Sequence, residues 1–262
     1  GEHDPRIKHI DLPDVPLWAV WAVQQYAKAY SDEDARSRYM PLVRRIVEFI
    51  LGGEHPNLVP NEQGLVETAG EDRPVSWMNA SLNGKPVVPR SGFLIEFNAL
   101  WYNALKFAAR LTDNEEERAR WDGIAEGMKQ PFIDTFLNDY GYLYDYVMGK
   151  YADPSVRPNM AIAIGLDYSP LDRRQRKGVL DIVTRELLTP KGLRTLSPKS
   201  WGYRPVYVGS PYDRELALHN GTARPWLMGF YADAYLRVFG MSGVNYIDRM
   251  LIGFEDEMPK EC

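Results

Sequence analysis

Two kinds of apolar helix alternate along this chain, and that alternation limits its fold more than any other feature. Leu42, Val43, Ile46, Val47, Ile50 and Leu51 recur at helical spacing with Arg44, Arg45 and Glu48 between them. That segment therefore has one apolar face and one charged face. Trp121, Ile124, Ala125 and Met128 repeat the pattern, as do Val179, Ile182, Val183 and Leu187. Between them lie the segments 17–30, 97–111, 160–166 and 226–238, which are apolar nearly all round. A helix without a polar face is buried on most sides. Inner and outer helices thus follow one another about four times, which predicts an all-α architecture of concentric layers, an α/α barrel or toroid. An α-solenoid is the alternative, but no fixed repeat period is visible. Four pairs are too few for a ring of six, so the expectation is a single domain over residues 1–262 that is part of a longer chain.

Helix starts are readable too. Ser31 followed by acids, Thr112 with Glu115 three residues on, and Ser169 with Pro170 each supply start chemistry. Long Pro/Gly-rich connections are expected at 52–95, 139–159 and 189–225, and loops of that length in a compact domain tend to carry function. "GYLYDYV" at 141–147 suits a short hairpin strand.

Composition removes several functions. A net charge of -5 with basic residues scattered among acidic ones gives no cationic stripe for phosphates, so nucleic acid is not an expected partner. No apolar run has the length of a membrane span, and Gly1-Glu2-His3-Asp4 is unlike a secretory leader. The reading is a cytoplasmic protein. The lone Cys262 cannot form an internal disulfide, and four His without a His-x-x-x-His pair predict no metal site. The 16 Tyr and 7 Trp stand out, since such rings suit both cores and wet clefts.

The polar residues collect where loops run into the inner segments: Ser76-Trp77-Met78-Asn79, Pro89-Arg90-Ser91-Gly92, Glu96-Phe97-Asn98, Arg157-Pro158-Asn159, and the run from Tyr203 through Tyr207, Tyr212, Asp213 and Arg214 to His219-Asn220-Gly221-Thr222. A ring of helices would bring these starts to one end. Trp and Tyr platforms with Arg, Asn, Asp and Glu between them fit a polyol, whose ring faces stack while its hydroxyls take hydrogen bonds. No Gly-x-Ser-x-Gly elbow and no Gly-rich phosphate loop is present. His219 reads as a hydrogen-bonding or ligand-contacting His before a general base. Glu255-Asp256-Glu257 reads as a solvated acidic patch before a catalytic cluster.

"SWMNA…GKPVVPRSGFLIEFNALWYNAL", "RPNMAIA", "LLTPKGLRTLSP" and "LHNGTARPWLMGFYADAYLRVFG" occur in that order. Together they resemble the C-terminal glucosidase domain of glycogen debranching enzymes, the amylo-α-1,6-glucosidase family, over about Leu17 to Met258. The resemblance implies an (α/α)6 barrel and removal of the α-1,6-linked glucose at a branch stub of glycogen or limit dextrin, by inversion and without a cofactor. Matching positions place Arg90, Glu96, Asn98, Trp101, Arg157, Asn159, Arg194, His219, Thr222 and Trp226 around the glucose, with Trp77, Asp145 and Tyr212 as further candidates.

Three positions depart from the family pattern. Asn79 stands where the family has its acid, and an amide donates no catalytic proton. Met160 replaces a Gln, and Arg224 replaces an aromatic with a fixed charge. The family base lies beyond Cys262. Glu96 is the fallback carboxylate, the other reading being a helix-start charge that favours the dipole. Alternatives to the glucosidase are a non-hydrolysing α-glucan-binding module, or a glucoamylase- or trehalase-like hydrolase on the same fold. Apolar inner faces on an incomplete barrel would also favour self-association.

Overall fold

The computed structural model describes residues 12–255. Four inner helices, α1 (Val15–Ala29), α3 (Ile95–Leu111), α5 (Asn159–Gly165) and α8 (Met228–Phe239), lie side by side, α3 between α1 and α5 and α5 against α8. The outer helices α2 (Asp32–Leu51), α4 (Glu115–Phe136), α6 (Arg173–Glu186) and α9 (Val244–Glu255) back them. The fold is all-α with short strands in its connections. In α3 every residue except Lys106 and Arg110 is buried, as a segment apolar all round requires. α2 packs on α1 and α3 and buries Val43, Val47 and Ile50, while Leu42, expected on the same face, stays exposed.

Close approach of the inner layer depends on one glycine. A Cβ on Gly165 would lie 2.4 Å from the backbone oxygen of Phe230, so only a residue without a side chain lets α5 rest on α8.

Two helix starts differ from expectation. Ser31 does cap α2, accepting the N–H of Asp34 at 3.0 Å. Thr112, however, closes α3, and Asn114 caps α4 by accepting from Glu116 and Glu117 at 2.9 and 3.1 Å. Asp172 caps α6 in a reciprocal box with Gln175, leaving Ser169 in the preceding turn. In both cases an Asx side chain nearer the helix does the work, and Asx caps at least as well as Ser or Thr.

The long connections are not structureless. β1 (Val59–Pro60) pairs with β2 (Val66–Glu67), and β3 (Ser81–Leu82) with β4 (Lys85–Pro86). β5 (Phe93–Leu94), β6 (Tyr146–Met148) and β7 (Tyr151–Ala152) form an antiparallel sheet, which confirms a strand at the end of "GYLYDYV". The third connection holds α7 (Pro211–Leu218) within a sheet of β8 (Leu188–Thr189), β9 (Gly192–Arg194) and β10 (Ala223–Arg224). Its start was readable from Ser210-Pro211 with Asp213, which form a capping box. Of the acidic run at 255–257, Glu255 ends α9, and Asp256 and Glu257 lie outside the described residues.

Candidate functional site

The starts of α1, α3 and α5 are joined by one chain of polar contacts, and α8 meets it through the ring of Trp226. β5 runs directly into α3, and its pairing with β6 sets Asp145 beside the first turn of that helix, where the Ile95 N–H donates to the Asp145 backbone oxygen at 3.2 Å. Arg90 sits between two carboxylates. It donates to both oxygens of Glu96 at 2.5 and 2.7 Å and lies 2.7 Å from Asp145 Oδ2 through Nε, too poorly aligned for a hydrogen bond. All three are essentially inaccessible. Burial alone would lower the Arg90 guanidinium, but Asp145 and Glu96 hold it above its ordinary value. Burial raises the Glu96 carboxyl, an effect that Arg90 only partly offsets.

Asn159, the first residue of α5, continues the chain. Its Nδ2 donates to Asp145 Oδ1 at 2.8 Å, and its Oδ1 accepts the indole N–H of Trp77 at 2.8 Å. The backbone N–H of Trp77 donates to Asp14 Oδ2 at 3.1 Å, and the same oxygen accepts the indole N–H of Trp18 at 3.1 Å. Arg157 ties in the third connection by donating to the backbone oxygens of Thr195 and His219 at 3.1 and 2.7 Å, and to Asn220 Oδ1 at 3.1 Å. The His219 ring stands edge-on to Trp77 at 5.2 Å, buried, with neither nitrogen hydrogen-bonded. Burial, then the charges of Arg224, Arg157 and Arg90, bring it down to about 3, so it is neutral. Of the two roles expected from the sequence, the hydrogen-bonding one is not met by the ring among the described residues.

Beside this network opens a cavity of about 430 Å³, lined by Trp18, Trp21, Trp77, Trp226, Gly229, Phe230 and Asp233. Its indoles form a box of edge-to-face pairs: Trp18 with Trp21 at 5.7 Å, Trp18 with Trp226 at 6.1 Å and Trp77 with Trp226 at 5.2 Å. Such a space suits a small ligand with apolar faces and a few polar edges. Asp14, 3 % exposed beneath the wall, has its carboxyl pushed up to about 6 by burial, against the Trp18 hydrogen bond. Desolvation also raises Asp233 at the rim. Among the described residues no group of His, Cys, Asp and Glu is arranged to hold a metal ion.

A family model described as amylo-alpha-1,6-glucosidase matches residues 4–261. The chain belongs to that family. A curated relative, the glycogen debranching enzyme of Saccharomyces cerevisiae, is 26% identical over 217 residues, 66% of this chain. The chain spans 14% of that relative's length.

Within this amylo-alpha-1,6-glucosidase domain the fold gathers Trp77, Arg90, Glu96, Asp145, Arg157, Asn159, His219 and Trp226 into one connected region. It turns others away. Asn98 uses both amide atoms on backbone, accepting from Val66 N–H at 2.8 Å and donating to the Val66 and Leu94 oxygens at 3.0 Å, while the Trp101 indole donates to Gly64 at 3.1 Å. Both are fully buried. The physical reason is helical spacing: positions 98 and 101 share a face, and 96 lies on another. They anchor the 64–66 segment and do not face the cavity. Arg194 donates to Tyr203 Oη and the Leu188 oxygen at 3.1 and 3.2 Å, and Thr222 donates to the Ala217 oxygen at 2.9 Å. Tyr212 is 57% exposed on α7. Asn79 is exposed, two residues past Trp77, and Met160 is buried in α5. The Arg224 guanidinium donates to the Leu218 oxygen at 3.0 Å.

Asp14, Trp18, Trp21, Phe230 and Asp233 were not foreseen as site residues. The i, i+4 spacing of Asp14 and Trp18 at a helix start was the available signal.

Proposed function

We propose that this chain is a glycoside hydrolase of the glycogen-debranching type that removes α-1,6-linked glucose from the branch stubs of an α-glucan such as glycogen or a limit dextrin. The observation that carries the reading is the indole-lined cavity set against the buried Arg90–Glu96–Asp145–Asn159 network. A glucose ring has two apolar faces and a polar edge. Trp77 and Trp226 stack on faces of that kind, and the polar groups around the box meet the hydroxyls. Family membership supports the hydrolytic chemistry. The reaction is written as inverting: one carboxyl protonates the leaving oxygen and a second activates water, and no cofactor takes part.

Four inner helices backed by four outer ones support a further part of this reading, that the described residues are a portion of an (α/α)6 toroid. A cytoplasmic location belongs to the same reading; none of the described helices is long and apolar enough to cross a membrane.

One observation favours a second reading, an α-glucan-binding module without hydrolysis: Asn79 is an exposed amide where the family pattern has its acid. Glucose release from a branched limit dextrin, measured side by side for the protein and its Asn79→Asp variant, separates the two. Release by the unmodified protein supports the glucosidase. Release only after Asn79→Asp, or dextrin binding with no release from either, supports the module.

A further inference from the structure

We propose that the turn at 138–142 and the outer helix α6 form a second carbohydrate site, a platform that holds a stretch of the α-glucan chain away from the unit in the tryptophan-lined cavity. The inference rests on the α-glucan reading above and adds a surface to it.

The indole-lined cavity, about 430 Å³, is of small-ligand size, whereas glycogen and limit dextrins are polymers. Most of a bound chain therefore runs over the outside of the protein. A second opening of about 500 Å³ lies there, lined by Tyr140, Tyr142, Gly178, Asp181, Ile182 and Arg185. None of these residues lines the tryptophan cavity.

The backbone fixes the two tyrosines. Asn138 Oδ1 accepts the N–H of Tyr140 at 3.0 Å and that of Tyr142 at 3.3 Å, and the Asn138 N–H donates to the Tyr142 oxygen at 2.9 Å. Gly141, at φ +79°, turns the chain between them and seats on α6 at Gly178, where a Cβ would lie 2.7 Å from the Gly141 oxygen. The Tyr142 hydroxyl donates to the Pro154 oxygen at 3.2 Å. The two rings end 6.3 Å apart with their planes 24° from parallel, so both can turn a face to one ligand. Tyr142 packs partly on the core, but Tyr140 is 88% exposed. That ring contributes little to packing and presents its apolar surface to water.

α6 supplies the polar side of the opening. Asp181 and Arg185 are exposed and one helical turn apart, on the same face. Asp181 accepts from Lys177 at 2.6 Å and Arg185 donates to Glu186 at 3.1 Å. Exposed ion pairs of this kind contribute little, so sugar hydroxyls can exchange into them. The two lining charges are of opposite sign, and each opposes a ligand of its own charge. A neutral polyol satisfies both: its ring faces stack on the tyrosines, and its hydroxyls donate to Asp181 and accept from Arg185. An α-glucan is such a polyol.

The test is affinity electrophoresis of the full chain through gels with increasing glycogen, with thermal unfolding measured on each variant. Tyr140→Ala is expected to weaken retention by about 3- to 10-fold and to leave the unfolding midpoint in place, because the ring is exposed. Tyr140→Phe keeps the face and is retained like the unmodified protein. Tyr140→Ala combined with Trp226→Ala multiplies the two single losses, as independent sites do. Retention of Tyr140→Ala equal to that of the unmodified protein overturns the platform, as does a double variant no weaker than Trp226→Ala alone. Equal loss in Tyr140→Ala and Tyr140→Phe, or a loss that follows a lowered unfolding midpoint, gives Tyr140 a structural role and overturns it too. If glycogen does not retain the unmodified protein at all, the α-glucan reading itself fails and takes the platform with it.

Discussion

Asn159 and Trp77 stand 82 residues apart in sequence, and the amide oxygen of one accepts the indole N–H of the other at 2.8 Å. This single bond couples the buried ion network to the aromatic cavity. The other end of the same amide holds Asp145. Asn159→Ala therefore leaves a buried carboxylate oxygen without this partner, a cost of about 1–3 kcal/mol, and frees a partly buried indole N–H at a smaller cost. Urea denaturation measures the loss. α-Glucan affinity falls with it, because Trp77 loses the bond that orients its ring.

Glu96→Gln removes one of two carboxylates around Arg90. Breaking a buried ion pair from one side costs about 3–5 kcal/mol, so the midpoint of chemical denaturation drops sharply. An unchanged midpoint would mean the pair is not formed in solution.

Asp14 gives a pH signature of opposite sign to an ion-paired carboxylate. Its folded pKa of about 6 lies above its ordinary 3.8, so between those values the folded state binds more protons than the unfolded state. Stability then falls as pH rises through that window and stays lower above it, by up to about 3 kcal/mol. Asp14→Asn keeps an acceptor for Trp18 and Trp77 without the charge. Denaturation at pH 5 and pH 8 finds the variant more stable than the unmodified protein at pH 8, with the gap narrowing at pH 5.

Trp226, 44% exposed, forms the outer wall of the cavity. Trp226→Ala lowers glucan affinity by about tenfold, from the loss of one stacking face. It changes stability far less than a substitution of buried Trp101 does. Calorimetric titration with a linear glucan reads the first effect, and thermal unfolding the second.

Gly165→Ala forces a methyl against the Phe230 backbone oxygen. Overpacking of this kind costs about 1–3 kcal/mol. Because Phe230 also lines the cavity, glucan affinity falls together with stability, unlike a substitution on the outer helices.

The layering was legible because burial leaves its mark on composition. A helix enclosed on all sides, such as α3, has no polar stripe, and one enclosed on one side, such as α2, keeps it. The gathering of Trp77, Arg90, Glu96, Arg157 and Asn159 could be read for a related reason, since residues at helix starts share one end of a layered fold. For Asp14 only the local pairing with Trp18 left a signal, and its link to the rest did not. Its partner Trp77 lies 63 residues away, and only the docking of α1 on the rest of the inner layer brings them together. Asn98 misled in the opposite direction, because an amide beside a Glu in sequence projects from a different face of the helix and here satisfies loop backbone. Cap identity slipped for a local reason: Thr112 and Ser169 carry start chemistry, yet an Asx two or three residues on holds the same amides.

The Asn159 amide does not ionise, and the Trp77 indole donates but has no lone pair with which to pass a proton along. The contact that aligns the two halves of the site is therefore an insulating joint for protons. Position is transmitted across it and acidity is not.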